Sequence, residues 1–334
     1  GYFMKKALSF LFALCFVIQL GLLPSGMAGT QIIASAAAKI AVSSVKLTPA
    51  SLKLAAGSAY TIKAAVSPAN ATVKSVSWKS SNTAVAVVSS TGKVTALRAG
   101  SATITCTAKD GSGKKAICKA TIADPAGKAE IINYFNMTIN RVKPKAKAII
   151  QNYERNKAVG GVNVGTNKTL SKWATSLMSA NMGEVKAKTN VTSKTLSQKN
   201  TNFPVEGQSW SSKLTPGMVT SAVCKKTGGV YIITITIKKD TTVNPTAGGG
   251  FAGNAFSVVT KKSIVDNEGG AKIFINNDSI KIQHHDCRVI AKVDAATGHV
   301  THANYYLPLL LSLRALGVDA SVGFSVEKDF TIKW

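Results

Sequence analysis

VDASVGFSVEKDFTIKW (residues 318–334) is the most strictly alternating stretch of the chain. Val318, Ala320, Val322, Phe324, Val326, Phe330, Ile332 and Trp334 fall on even positions, and only Lys328 interrupts them. Every odd position from Asp319 to Lys333 is polar or glycine. A period of two with one apolar and one wet face marks a strand of an antiparallel sheet, since parallel strands are covered on both faces. At about 3.4 Å per residue it would reach roughly 50 Å, so a twist or bulge is expected, placed near Lys328.

Its upstream neighbour, HVTHANYYLPLLLSLRA (299–315), carries Tyr305, Leu307, Leu309, Leu311 and Leu313 on one face, and Pro308 marks an edge or irregularity. The turn DAATG (294–298) joins it to IKIQHHDCRV (280–289). Folding this hairpin near 296–297 pairs Val293 with Val300, sets His302 opposite Ala291, and puts His284 and His285 near Pro308 and Leu309. On a regular ribbon His285 then shares a face with Cys287, and His284 with Asp286. The pair His284 and His285 lies on the order of 23 Å from His299 and His302, so no metal site is expected. His285 and Cys287 remain the weak candidates for a catalytic base and nucleophile. Cys287 continues the apolar series Val289, Ala291, Val293, so the expected fate of its sulfur is burial or a disulfide with Cys224. No catalytic role is expected.

GGGFAG contains Gly248-x-Gly250-x-x-Gly253, the dinucleotide-binding spacing. The strand before it belongs to an antiparallel meander, TTVNPTA intervenes, and no acid follows about 20 residues on. A flexible loop before a helix at 254–267 is expected, and no cofactor. Farther upstream, Tyr231, Ile233, Ile235 and Ile237 form another alternating strand. Helical spacing links Ile131, Ile132, Phe135, Ile139 and Val142 up to Pro144, and also Leu170, Trp173, Leu177, Met178 and Met182 within 169–184. Residues 195–217 read as a long connection. Together, 124–334 is expected to be an α+β domain with a long curved antiparallel sheet packed on two or three helices. A lining of Tyr305, Leu307, Leu309, Phe324 and Phe330 under such a sheet would suit a lipid-like ligand, the alternative function.

Residues 43–123 read differently, as short alternating strands and turns without helical periodicity, an all-β sandwich. SATITCTAKDGSGKKAICKATI (101–122) reads as a hairpin. Centred on Ser112, it opposes Cys106 to Cys118, within reach of a disulfide. This segment resembles the bacterial immunoglobulin-like domain, group two. The likeness rests on Leu47 and Pro49, Leu54 with Gly57, Val66-x-Pro68-x-Asn70-Ala71, Trp78 with Ser80-Ser81-Asn82, Val85-Ala86-x-Val88, Gly92-x-Val94-x-Ala96, and Gly100-x-Ala102-x-Ile104-Thr105. It implies an extracellular module that spaces or displays other domains, in some surface proteins binding host cells or carbohydrate, with no catalytic residues. The later segments NFPVEGQSW, KLTPGMV, HHDCRVIAKVDAATG and VGFSVEKDFTIKW resemble an uncharacterised domain of secreted clostridial-type proteins.

Met4, Lys5 and Lys6 followed by the apolar run 7–23 and small residues read as a secretory signal peptide at 1–28, with cleavage as late as 36, then a linker at 29–42. Cys15 sits within that run, preceded by Leu14 where a lipoprotein signal has a small residue. No other run is apolar enough to span a membrane. Removal of Lys5 and Lys6 leaves 39 basic residues against 15 acids, spread along the chain. Such basicity attracts polyanions without specifying a fold. No nucleic-acid motif accompanies it. The expectation is a secreted or wall-associated, non-enzymatic protein that adheres to an anionic or carbohydrate polymer; a hydrolase is the third and weakest alternative.

Overall fold

The structure, a computed structural model, describes residues 38–334 except 173–174, 176–184, 188, 241 and 266–274. The signal peptide, most of the linker, most of the helix expected at 169–184 and the end of the one expected at 254–267 lie outside the described residues. Residues 41–334 pack as one compact unit.

The first half of this unit is all strand: β1 (Ser44–Thr48), β2 (Ser51–Ala55), β3 (Ala59–Thr61), β4 (Lys63–Ser67), β5 (Val76–Ser80), β6 (Ala86–Val88), β7 (Lys93–Ala96), β8 (Gly100–Ala108) and β9 (Lys115–Ala123). They form sheets ordered β2-β9-β8-β5, β3-β7-β6 and β1-β4. Inward residues Leu52, Ile62, Val94, Ile104 and Ile122 are buried between them. A Cβ on Gly92 would lie 2.8 Å from the Trp78 ring and its φ is +81°, so the indole and the turn both require glycine there.

The β8–β9 hairpin corrects the expected disulfide. Cys106 opposes Ala116 and Cys118 opposes Ile104, two residues off the register that joins the sulfurs. Gly111 and Gly113, both at positive φ, shape a turn closed by Asp110, whose Oδ1 accepts from the Ser112 N–H. The turn centre falls on Gly111, and the two cysteines become diagonal neighbours, buried and unbonded. Cys224 and Cys287 are unbonded too. Cys224 lies opposite Ile233, which lies opposite Ala291, so a third strand separates the two sulfurs.

The second half begins with α1 (Lys128–Ile139) and α2 (Val142–Lys145). Asn140 caps α1, so Pro144 falls inside α2 and is not the residue that ends the first helix. Then follow β10 (Ala148–Val164), β11 (Val185–Ala187), β12 (Val191–Ser193), α3 (Leu196–Asn202), β13 (Val219–Thr227), β14 (Val230–Ile237), α4 (Lys261–Val265), β15 (Ile275–His284), β16 (Arg288–Asp294), β17 (Val300–Ala315) and β18 (Val318–Lys333). The sheet runs β11-β10-β18-β17-β16-β14-β13, with β12 on β10 and β15 on β17, and every pairing is antiparallel. The expected all-β module followed by an α+β module is thus observed.

The two halves share their core. α1 buries Ile131, Ile132, Tyr134, Phe135 and Ile139. A Cβ on Gly57 of the first half would come within 2.5 Å of the Tyr134 backbone nitrogen, so α1 lies directly on that turn. Asp124, between the halves, accepts from the Tyr231 hydroxyl and pairs with Lys226 at 3.2 Å.

Lys328 explains its own exception. It points to the apolar face of β18, yet its ammonium meets Glu206 at 2.6 Å and Glu154 at 3.5 Å. The expected irregularity lies across the ladder: Asn152 is an extra residue of β10 between Gln151, opposite Phe330, and Tyr153, opposite Asp329. Glu206 comes from a connection wrapped around a second buried lysine. The Lys143 ammonium donates to the carbonyls of Val205, Gln208 and Trp210 at 2.7, 2.8 and 3.1 Å. Burial pushes its pKa down to about 8. The NFPVEGQSW segment is therefore held by a cation, a tertiary requirement that periodicity does not reveal.

Candidate functional site

The HHDC stretch is a bulge inside one continuous strand line. β15 and β16 both pair with the same edge of β17, His284 opposite Leu309 and Arg288 opposite Tyr306. Three residues, 285–287, therefore face two, and Asp286 takes φ +51°. The extra residue reverses the alternation: Ile280, Ile282 and His284 are buried before it, Cys287, Val289, Ala291 and Val293 after it. His284, not His285, thus shares the buried face with Cys287. His285 turns outward, its Nδ1 3.2 Å from the Asp286 carboxylate. The Cys287 thiol contacts the carbonyls of His285 and Pro308 at 3.7 and 4.0 Å, and burial pushes its pKa far up. Burial favours the protonated thiol over the nucleophilic thiolate. A second bulge at Thr301 shifts His302 from Ala291 to Lys292, while Val293 stays opposite Val300.

The glycine spacing also has a structural occupant. The Asp240 carboxylate, buried, accepts from the backbone N–H groups of Phe251 and Ala252 at 3.0 Å each. A Cβ on Gly250 would lie 2.5 Å from Asp240 Oδ1, and one on Gly253 1.9 Å from the Thr246 carbonyl oxygen. The loop is a closed cradle for a side chain of the protein itself. His284 is near enough to feel the Asp240 charge, but burial dominates and lowers its pKa to about 4. Among the described residues neither ring nitrogen of His284 has a hydrogen-bond partner. Among the described residues no group of three or more His, Cys, Asp or Glu side chains is placed to hold a metal ion.

The densest polar constellation lies on the outer face of β10, β18 and β17. His302 Nε2 is 2.9 Å from Asp329 Oδ2. Asn304 donates to Glu327 at 2.9 Å and to Asp329 at 3.2 Å. The Tyr153 hydroxyl donates to Glu327 at 3.0 Å, Arg155 stands 3.6 Å from the same carboxylate, and the bulged Asn152 donates to Asp329 at 2.6 Å. Burial alone would raise the Asp329 pKa, but hydrogen bonds from His302, Asn152 and Asn304 hold it below its usual value. Beside this row a groove of about 460 Å³ is lined by Arg155, Lys157, Tyr306, Ser325, Glu327 and the bulged backbone 158–160. The Arg288 guanidinium lies 5.6 Å from the Tyr306 ring centroid.

Carboxylates, amides, an imidazole and a guanidinium on one sheet face offer donors and acceptors suited to hydroxyl-bearing ligands. The Asp329 carboxylate accepts hydrogen bonds from three side chains, an arrangement that favours its charged form. The sequence reading missed these residues, although a signal existed. The two-residue turn Leu316-Gly317 pairs Ala315 with Val318 and so sets His302, Asn304 and Tyr306 opposite Thr331, Asp329 and Glu327.

The inner face offers less room. Tyr305, Phe330, Phe203 and Phe256 stack edge to face with centroids 5.0 to 6.1 Å apart. Leu307 is buried beside them. Farther along, Leu309, Leu311, Phe324, Val326, Ile282 and Ile264 border an apolar cavity of about 170 Å³. Sites for drug-sized ligands run roughly 300–1,000 Å³.

Residues 41–119 match the family model of the bacterial Ig-like domain (group 2), as the sequence motifs indicated. Two uncharacterised proteins of Clostridium acetobutylicum are 43% identical over 70 residues and 33% identical over 91, which is 21% and 27% of this chain. The Ig-like virion protein of Serratia phage KSP90 is 36% identical over 99 residues, 29% of this chain. The aligned parts span 7%, 23% and 38% of those three proteins. Among solved structures, a GH10 xylanase containing a bacterial Ig-like domain aligns over 28% of this chain and 25% of its own, at 21% identity and TM-score 0.19. Domains 5–6 of the S-layer protein SbsC align over 84% of this chain and 96% of theirs, at 11% identity and TM-score 0.23.

Proposed function

We propose that the protein is a secreted or surface-exposed, non-enzymatic binding protein. Its Ig-like module joins it to a larger assembly or surface, and its second module binds a carbohydrate polymer along the outer face of β10, β18 and β17. The observation that carries this reading is the row His302, Asp329, Asn304, Glu327, Tyr153 beside the Arg155–Tyr306 groove. Planar polar groups pair with vicinal hydroxyls, and an aromatic face accepts the apolar side of a sugar ring. The match of residues 41–119 to a family with a virion protein among its relatives supports a place at a surface. Burial that holds the Cys287 sulfur toward its protonated form supports the non-enzymatic reading. No nucleic-acid motif and no membrane span enter this reading, and the oligomeric state plays no part in it.

Titration of the protein with solubilised wall polysaccharides tests it. Tyr306→Ala and Arg155→Ala each weaken binding about tenfold, the loss of one well-placed contact of about 1.4 kcal/mol. Unchanged affinity in both variants rejects the groove.

A further inference from the structure

The four-stranded sheet of the Ig-like half has a solvent face that neither the family match nor the groove accounts for. Its inward side chains are core, so the outward set is read directly from the register. Ser51 and Lys53 stand on β2, Lys115, Ile117, Lys119 and Thr121 on β9, Ser101, Thr103, Thr105 and Thr107 on β8, and Ser77 and Lys79 on β5. Cross-strand pairing puts a hydroxyl beside each lysine: Lys53 opposite Thr121, Lys119 opposite Thr103 and Ser51, Lys115 opposite Thr107, and Lys79 opposite Thr105. All four lysines are exposed. None forms an ion pair among the described residues, and no Asp or Glu occurs in the outward set.

We infer that this face is a docking surface for a linear polymer bearing anionic phosphate groups. Outward residues repeat about every 6.8 Å along a strand and about 4.8 Å between strands, so cations and hydroxyl donors recur on a flat grid. Such a grid follows an extended chain of regularly spaced anions. Lysine acts as a point charge toward phosphate, and Ser and Thr hydroxyls donate to its oxygens. The excess of positive charge over the whole chain adds long-range attraction, but a diffuse excess does not place the ligand. The two proposals fail separately, because the groove on β10 and β17 contains none of these residues.

The experiment uses long-chain inorganic polyphosphate as the probe, with polygalacturonate as the carboxylate counterpart and dextran as the neutral one. Two variants remove four charges each. One replaces Lys53, Lys79, Lys115 and Lys119 by Gln, and the control replaces the exposed Lys63, Lys93, Lys225 and Lys238 by Gln. The expected result is salt-sensitive polyphosphate binding that falls by at least about tenfold in the first variant and within about twofold in the control. Loss of the four face lysines also lowers the slope of log K against log salt by about 3. Matching melting temperatures of the two variants exclude a folding defect as the cause, and a variant that melts early is replaced by the two double substitutions Lys53/Lys119 and Lys79/Lys115, expected to show partial losses. Equal losses in both quadruple variants, or tighter binding of polygalacturonate than of polyphosphate, overturn the assignment.

Discussion

Lys328 sets its ammonium 2.6 Å from Glu206 on a strand face that is otherwise apolar, and Glu154 completes the group at 3.5 Å. The cation ties three distant parts of the chain together: β18, β10 and the connection after α3. Removing the cation of a largely buried ion group takes the counter-charge from its carboxylates. Lys328→Ala is expected to cost on the order of 3 kcal/mol in urea unfolding, because it leaves two carboxylates facing the core. Adding Glu206→Gln recovers part of that loss, which separates stranded charge from lost packing.

His284 gives the unfolding free energy a defined acid limb. Its folded pKa of about 4 lies below the unfolded value of 6.5, so the unfolded chain takes up a proton first as pH falls. The stabilisation is complete above about pH 6.5 and is lost toward pH 4, in total about 3 kcal/mol at about 1.36 kcal/mol per unit. Asp240 opposes the shift and His285 adds to it, but burial dominates. Denaturant titrations from about pH 7.5 to 4.5 detect the limb. His284→Met removes its share of the limb, burial of His299 leaves a smaller contribution in the same window, and hydrogen-bonded Asp329, Glu130 and Asp294, all held below their usual values, act at lower pH.

Much of this architecture was legible because apolar side chains alternate on the strands. The paired runs 300–315 and 318–333 follow from period and a two-residue turn. What escaped was set by insertions and by tertiary contacts. One extra residue at 285–287 turns His284 inward and His285 outward. Its trace in the sequence is a change of parity, from Ile280 and Ile282 on even positions to Val289, Ala291 and Val293 on odd ones. Lys328 read only as a break in an apolar series and Lys143 carried no signal, because nothing local announces the partners of these buried lysines. Cys106 and Cys118 read as a bridge because a hairpin centre one residue away from the true one shifts the pairing by two.

Gly57 couples the halves. Its φ of +87° and the 2.5 Å approach to the Tyr134 nitrogen leave no space for a side chain. Gly57→Val is expected to cost about 3 kcal/mol through strain and a displaced α1. Calorimetry of the variant should separate one transition into two as the Ig-like half loses its helix contact; a single transition at the original temperature contradicts this joint.

Thiol chemistry checks the unbonded cysteines. In protein lacking residues 1–37, denaturation without reductant should release four reactive thiols, while in the native state only half-buried Cys224 reacts readily. Fewer than four thiols in denaturant would reveal a bridge.

The central claim is that the outer row on β10, β17 and β18 is a carbohydrate-binding face, and amide chemical-shift mapping during polysaccharide titration tests it most directly. The predicted result is a contiguous set of shifts at Tyr153, Arg155, Asn304, Tyr306 and Glu327, with the Asp240 cradle and Cys287 unmoved. Shifts centred on the apolar cavity at Ile282 and Phe324, or none on the outer face with binding intact, would contradict it.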